Sequence, residues 1–177
     1  QPSGAGIAFR TEVNEISPAI KPRTGSYLLK MFLPNNLVST TGSGNKVNTY
    51  QQVYLEAGTT YVFSGYVNSS GMTTFSRDGG LSLSFQNSSG TDVAESNRLN
   101  YATSNQVENG WTRLEVTYTP QTSGNYRVSA NMKNAAKFAA FDDFQLEKVV
   151  IPAEDMPAEK QGVASSANLV QLGGLER

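Results

Sequence analysis

AKFAAFDDFQLE, residues 136–147, is the stretch that decides the fold. Phe141, Phe144 and Leu146 are apolar, while carboxylates and an amide stand between them. This spacing of apolar and polar side chains is typical of a strand with one buried face. We interpret the stretch as the last strand of a β-domain.

The two adjacent acids in this strand, Asp142 and Asp143, raise a question of charge. Neighbouring residues of a strand point to opposite faces, so one of the two carboxylates is expected to face inward. A buried carboxylate needs a cation or several N–H donors to offset its desolvation. The pair therefore suggests a buried calcium ion; the alternative is that the carboxylates are simply solvated or are hydrogen-bonded to backbone N–H groups.

Upstream segments show the two-residue period of strands. The clearest signal is a hairpin in which residues 50–55 and 60–67 flank a short turn, with Tyr61, Phe63 and Val67 predicted to face the core. Other predicted strands are residues 27–33, 81–86, 112–118 and 126–132, with an irregular one near 7–13 and an edge strand at 98–103. We predict an all-β, antiparallel β-sandwich of seven to nine strands, such as a jelly roll.

The composition supports a β-protein and excludes several functions. Roughly a third of the 177 residues are Ser, Thr, Asn or Gln, only 16% are charged, and the net charge is −1, so neither nucleic acid nor an anionic membrane is an expected partner. There is no Cys and no His, which removes thiol nucleophiles, Cys/His zinc sites and Ser-His triads. Most hydrolase mechanisms are thereby excluded.

The two ends differ from the centre. No apolar run approaches the roughly 20 residues of a membrane span, and residues 1–10 lack the apolar region of a signal peptide. We expect an internal piece of a larger protein, with residues 1–148 as one module. Residues 149–164 contain two prolines and mixed charges, which is typical of a linker, and residues 165–177 are predicted to be a terminal strand.

Five segments occur in an order that resembles a known family: GSYLLKMF, QQVYLEAGTTYVFSGYV, GWTRLEVTYTP, YRVSANM and FAAFDDFQLEK, within residues 24–148. They resemble carbohydrate-binding modules of the family 4/9/22 jelly-roll type, as repeated in bacterial cell-surface proteins that include RHS-type proteins. The resemblance implies a non-catalytic module that binds a polysaccharide or other glycan. It also implies an extracellular or cell-surface location in a secreted or surface-anchored bacterial protein.

The opening motif of such modules, N-L-x-x-N-G-x-F-E, is missing from the N-terminal region. Its nearest copy is NLVQLGGLE, residues 168–176. Either this tail begins a following module, or it fills the vacated strand position, in the same chain or by strand exchange with a neighbouring copy. We favour filling, because a lost strand leaves backbone N–H and C=O groups unpaired. Deletion of residues 165–177 is then expected to lower the melting temperature.

The resemblance also implies a structural calcium beside the last strand. The matching candidate ligands are Asp142 and Asp143, with Glu176 of the displaced opening motif and Glu12 or Glu15 near the N-terminus. Carboxylate oxygens are ligands that suit calcium.

Sugar binding requires an aromatic ring against the apolar face of a pyranose, and polar groups for its hydroxyls. Candidates are residues predicted to point outward from the strands, although a polar outer face is also what any sandwich presents to water. They are Tyr66, Ser84, Gln86, Arg113, Glu115, Arg127 and Asn131, with Tyr50, Tyr54, Phe75 and Tyr101 at strand edges or in loops. Arg113 and Glu115 are expected near Arg127, and Trp111 is expected to be structural.

Two functions remain open from the sequence. The leading one is carbohydrate binding, and the alternative is a structural spacer or assembly domain of a repeat-bearing surface protein that binds no sugar. Two or three exposed aromatic residues on one sheet face would favour the former. We predict no enzymatic activity, because nothing in the sequence brings Glu115 and Asp142 to the roughly 5 to 10 Å that a glycosidase pair needs.

Overall fold

A computed structural model describes residues 7–12, 20–33, 46–99 and 110–149, and these contain eight strands and no helix. The strands are β1 Ile7–Glu12, β2 Tyr27–Leu33, β3 Lys46–Leu55, β4 Tyr61–Asn68, β5 Met72–Gln86, β6 Asp92–Glu95, β7 Thr112–Tyr118 and β8 Gly124–Lys148. All pairings between them are antiparallel. The predicted all-β, antiparallel sandwich is confirmed.

Strand β8 organises the molecule because it belongs to both layers of the sandwich. Its C-terminal part, residues 137–148, lies between β2 and β4. Together with β1 and β7 these strands form layer 1, in the order β1-β2-β8-β4-β7. Its N-terminal part, residues 124–133, lies between β3 and β5; with β6 beside β5, this forms layer 2. Hydrogen bonding is therefore continuous from one layer to the other.

The passage of β8 between the layers corrects the sequence prediction of two separate strands at 126–132 and 136–147. The strand turns at Asn134, which has a φ of 41°. Gly79 of β5 lies against this turn so closely that a Cβ there would come within 2.3 Å of the Asn134 carbonyl oxygen. The pairing of β5 with β8 shifts register between Phe75 and Gly80. The two strands thus bend together, which only a residue without a side chain allows at this position.

The core lies between the layers and is built from every second residue of the strands. The inward residues predicted for the hairpin, Tyr61, Phe63 and Val67, are buried in it. Phe144 stacks between two other rings, with ring centroids 5.9 Å from Phe63 and 6.2 Å from Phe141. These rings belong to layer 1 and face layer 2, where Leu83, Phe85, Val128 and Met132 are fully buried. Phe63 contacts Phe85 across the two layers, with ring centroids 6.3 Å apart.

Two strand boundaries and one additional strand differ from the sequence predictions. Strand β3 begins at Lys46 rather than at residue 50, and β5 begins at Met72 rather than near residue 81. Strand β6, Asp92–Glu95, is not among the predicted strands. Of the predicted edge strand at 98–103 only Arg98 and Leu99 are described, and Leu99 bridges to Leu81. Among the described residues there is no helix with the length and apolar character to cross a membrane. The predicted linker and terminal strand lie outside the described residues, except Val149.

Candidate functional site

The sequence-predicted ligand residues lie on two opposite surfaces of the sandwich. Those on the outer face of layer 1 are Tyr66, Arg113 and Glu115, and those on the outer face of layer 2 are Ser84, Gln86, Arg127 and Asn131. The predicted proximity of Arg113 and Glu115 to Arg127 is therefore wrong, because β7 pairs with β4 and not with β8. Two sites, and not one, are open to consideration.

The outer face of layer 1 is partly covered by residues 20–24. Ile20 and Trp111 pack there with Leu28, and the indole N–H of Trp111 donates to the Lys21 carbonyl oxygen at 3.2 Å. Trp111 is only 5% exposed, as expected for a structural role. The guanidinium of Arg23 lies over the ring of Tyr66, 3.6 Å from its centroid. A sugar would have to displace Arg23 to stack on this face of the ring.

Arg113 and Glu115 form an exposed ion pair on β7. Nη1 of Arg113 lies 2.6 Å from Oε2 of Glu115, and both side chains are about half exposed, at 47% and 48%. Exposed pairs of this kind contribute little to stability because water screens them. The pair presents compensated charge to solvent and no aromatic platform beside it that is open to solvent.

On layer 2, small polar side chains form a buried layer of hydrogen bonds over the sheet. Nδ2 of Asn131 donates to Oγ of Ser84 at 3.0 Å and to Oγ of Ser82 at 3.3 Å. The hydroxyl of Ser129 donates to Oδ1 of Asn131 at 2.8 Å and accepts from Asn48 at 3.1 Å. Ser82, Ser84, Ser129 and Asn131 are each 0% exposed. In this structure Ser84 and Asn131 face outward as predicted, yet they are closed to solvent and satisfied by their neighbours.

A charged cluster that the sequence analysis does not identify lies at the β6 edge of this face. Nζ of Lys133 lies 2.5 Å from Asp92 and 2.9 Å from Glu95, and Glu95 also pairs with Arg98 at 2.7 Å. Burial tends to raise the pKa of both carboxyls, but hydrogen bonds outweigh this effect, so both pKa values are lowered. The donors are Lys133 and Gln86 at Asp92, and Arg98 and Lys133 at Glu95. The sequence gives no signal for this cluster, because residues three apart in a regular strand point to opposite faces; Asp92 and Glu95 share a face because the pairing of β5 with β6 shifts register between Phe85 and Gln86.

Gln86 is the least satisfied member of this face. Its Nε2 donates to Asp92 at 2.9 Å, while its buried Oε1 has no hydrogen-bond partner among the described residues. A buried acceptor without a partner costs about 1–3 kcal/mol. Gln86 is 1% exposed, so in this structure it is closed to a ligand.

The open part of layer 2 is the edge strand β3. Tyr50 and Tyr54 are 48% and 62% exposed and stand on the same outer face, opposite Ser129 and Asn125 of β8. They are four positions apart in sequence, which places their Cα atoms about 13 Å apart along β3. Arg127 lies beside them, with Cζ 4.1 Å from the centroid of the Tyr50 ring. We call Tyr50, Gln52, Tyr54 and Arg127 the β3 strip.

The two aspartates of the first prediction lie together on the outer side of layer 1. Asp143 has a φ of 52°, and the pairing of β4 with β8 shifts register there, so a bulge places both carboxylates beside residues 23–24. The prediction that they point to opposite faces is wrong, because a bulge interrupts the alternation of a strand. Asp142 accepts from the backbone N–H groups of Arg23 at 2.9 Å, Thr24 at 3.3 Å and Asp143 at 2.9 Å.

The donors around this pair leave little room for a metal ion. Asp143 accepts from the Arg23 guanidinium at 2.8 Å and from the Thr24 hydroxyl, so each of the four carboxylate oxygens already has a donor. Within the described ranges no three acidic side chains cluster as they would around a cation. The residues described here fit the N–H alternative better than calcium. Calcium stays an untested prediction, because Glu15, Glu176 and the side chain of Glu12 lie outside the described part.

The same contacts perturb Asp142 strongly. Burial of this fully enclosed side chain and the neighbouring charge of Asp143 raise its pKa from 3.8 to about 6, against the opposing effect of the three N–H donors. Asp142 therefore titrates near neutral pH while it fixes residues 23–24 to layer 1. It lies on the same outer face as Glu115, but its enclosure separates it from solvent.

Comparisons with known proteins concern the fold. No protein-family model matches the chain, and the search of curated proteins gives no match. Among solved structures, the chain is similar to an arabinose-bound GH51 α-L-arabinofuranosidase, with a TM-score of 0.53 and 17% identity over 85% of this chain and 23% of that one. It thus spans about a quarter of that enzyme.

Two of the other similar structures are the module TmCBM61 in complex with β-1,4-galactotriose and a CBM22-1 xylan-binding domain from Paenibacillus barcinonensis. The first has a TM-score of 0.46 and 16% identity over 81% of this chain and 87% of that one. The second has a TM-score of 0.44 and 15% identity over 82% of this chain and 83% of that one. At these identities the similarity concerns the β-sandwich fold alone.

Proposed function

We propose that this β-sandwich is a non-catalytic carbohydrate-binding module, and that the glycan lies along the β3 strip. The observation that carries the proposal is the pair of exposed tyrosines, Tyr50 and Tyr54, on one face of an edge strand. Aromatic rings open to solvent supply the apolar surface against which a pyranose packs. Two platforms about 13 Å apart along one strand suit an extended ligand better than a single small molecule.

The polar groups of the strip complete what a sugar needs. Gln52 is exposed between the two rings, Arg127 stands opposite Gln52 on β8, and Asn125 is exposed opposite Tyr54. Amide and guanidinium groups hydrogen-bond sugar hydroxyls and so orient the chain that the rings hold. In this proposal the module keeps a larger secreted or surface-anchored bacterial protein in contact with a polysaccharide.

The outer face of layer 1 serves the proposal less well. Tyr66 is partly buried against the cluster of Ile20, Leu28 and Trp111 and has Arg23 over its ring, whereas Tyr50 stays 48% exposed although Arg127 lies over one face of it. Arg113 is paired with Glu115. Of the sequence-predicted ligand candidates we therefore keep Arg127 and the two edge tyrosines, Tyr50 and Tyr54. Ser84, Gln86 and Asn131 lie on the same face, on β5 and β8, where they are buried; Asn131 bonds to Ser84, and Gln86 bonds to Asp92.

A polysaccharide gel-retardation and glycan-array screen of the module tests the proposal. Replacement of Tyr50 or Tyr54 by Ala is expected to weaken binding of any hit by about 1–2 kcal/mol, roughly 5- to 30-fold. Arg113→Ala, which changes an exposed residue on the opposite surface, is the matched control and should leave the affinity unchanged. Equal loss in all three variants would refute the β3 strip as the site.

The spacer function is the second candidate, and one observation favours it. Most polar side chains of the layer 2 face, such as Ser129 and Asn131, bond to one another and are buried, so they serve the sheet rather than a ligand. A spacer predicts no retardation by any polysaccharide in the screen. Binding that depends on Tyr50 and Tyr54 would reject it.

A further inference from the structure

The charge of the β3 strip indicates what kind of glycan it prefers. Arg127 is its one charged residue, and among the described residues it makes no ion pair. Its recorded partner is a neutral ring, that of Tyr50. A guanidinium with unpaired N–H donors at a surface recognises an anion, above all a planar carboxylate that accepts two parallel hydrogen bonds.

The acids of the same face do not compensate this charge. Asp92 and Glu95 form ion pairs with Lys133 and Arg98 at the β6 edge, and the net charge of these four side chains is zero. Strand β3 contains no acid between Lys46 and Leu55, and β8 contains none between Gly124 and Lys133. An anionic ligand on the β3 strip therefore meets the positive charge of Arg127 and no repulsion from an acid within these two strand segments.

The guanidinium is also held in place before a ligand arrives. The Tyr50 ring covers one face at 4.1 Å. Gly90, in the turn between β5 and β6, lies so close that a Cβ there would come within 2.7 Å of Nη1 of Arg127, and its φ of 87° favours glycine as well. A guanidinium that is already ordered loses less conformational entropy when it binds a carboxylate.

We propose that the β3 strip selects glycans that carry carboxylates, such as those containing uronic acids, with Arg127 as the residue that reads the carboxylate. This inference rests on the proposed carbohydrate-binding function and adds the ligand class to it. Tyr50 and Tyr54 then hold the sugar rings, while Arg127 distinguishes an acidic sugar from a neutral one of the same shape.

The test compares an acidic polysaccharide with its own carboxyl-reduced form, which keeps the backbone and removes the charge. By isothermal titration at low salt, the wild-type protein is expected to bind the acidic form about tenfold or more tightly. This preference should decline as salt is added. Arg127→Gln should abolish the preference, so that this variant binds the acidic and the carboxyl-reduced forms with equal affinity.

Lys46→Gln is the matched control, since it removes the same charge from the same face about 13 Å along β3 from Tyr50. It should leave at least most of the preference. If the acidic and reduced forms bind equally well, or if Lys46→Gln and Arg127→Gln act alike, carboxylate reading by Arg127 is refuted while carbohydrate binding stands. If neither form nor any neutral glycan binds, the proposed function itself fails, and this inference with it.

Discussion

The pH dependence of stability tests the surroundings of Asp142. Its pKa is about 6 in the folded protein, because of burial and the charge of Asp143, whereas the ordinary value of 3.8 applies to the unfolded chain. Between these values the folded state binds more protons than the unfolded state. The contribution of this group to the free energy of unfolding is therefore largest below pH 3.8, decreases as pH rises and levels off above about pH 6.

The size of the effect follows from the difference between the two pKa values. About two pKa units correspond to a free-energy difference of roughly 3 kcal/mol. Solvent screening reduces this energy little, because the side chain of Asp142 is fully enclosed. Asp92 and Glu95 have lowered pKa values, and their stabilising contributions are lost only as pH falls below about 4. A comparison with a variant separates them from Asp142.

Urea denaturation of the wild-type protein and Asp142→Asn from pH 3 to pH 7, in the presence of a chelator, measures this contribution. Asparagine keeps an oxygen that accepts from the N–H groups of Arg23 and Thr24 but carries no charge. The stability of the wild type relative to the variant should fall by roughly 3 kcal/mol over this range. Parallel pH curves for the two proteins would refute the buried, perturbed carboxylate.

Three further predictions concern packing and metal. Gly65→Ala places a Cβ 2.9 Å from the Phe144 ring and is expected to lower the free energy of unfolding by about 1–3 kcal/mol. The control Gly124→Ala, whose Cβ has nothing within 4 Å, should change it little. Equal effects of the two variants in thermal melts would contradict this prediction. Trp111→Ala should cost about 3–5 kcal/mol in denaturant unfolding through loss of its packing and its bond to Lys21, and a neutral result would show that residues 20–24 do not cover layer 1. If calcium binds at the aspartate pair, it should raise the melting temperature of the wild type and not of Asp142→Asn; identical melts with calcium and chelator would reject the metal.

The sequence predicts the inward face of the strands well. The period of two is a local property, so Tyr61, Phe63 and Val67 could be assigned to the core without knowledge of the strand partners. The continuity of β8 could not be predicted, because it depends on the bend at Asn134 and on the close approach of Gly79 from another strand. For the same reason the bulge at Asp143, and with it the orientation of both aspartates, was missed.

The candidate site was predictable only in part. Alternation identifies outward residues, but it cannot separate a solvated serine from one such as Ser84 that neighbouring strands enclose. It also gives no strand order, so residues from opposite surfaces were joined into one set. Tyr50 and Tyr54 are among the edge candidates of the sequence, but the face that they share follows from the pairing of β3 with β8, which the sequence does not show.

Amide chemical-shift mapping with a glycan that the module retards tests the central claim most directly. The account predicts that the signals of Lys46–Leu55 and of the paired residues 124–133 of β8 move on addition of the glycan, while those of Thr112–Tyr118 stay in place. Shifts confined to Thr112–Tyr118 and residues 20–24, on the opposite surface, would contradict it.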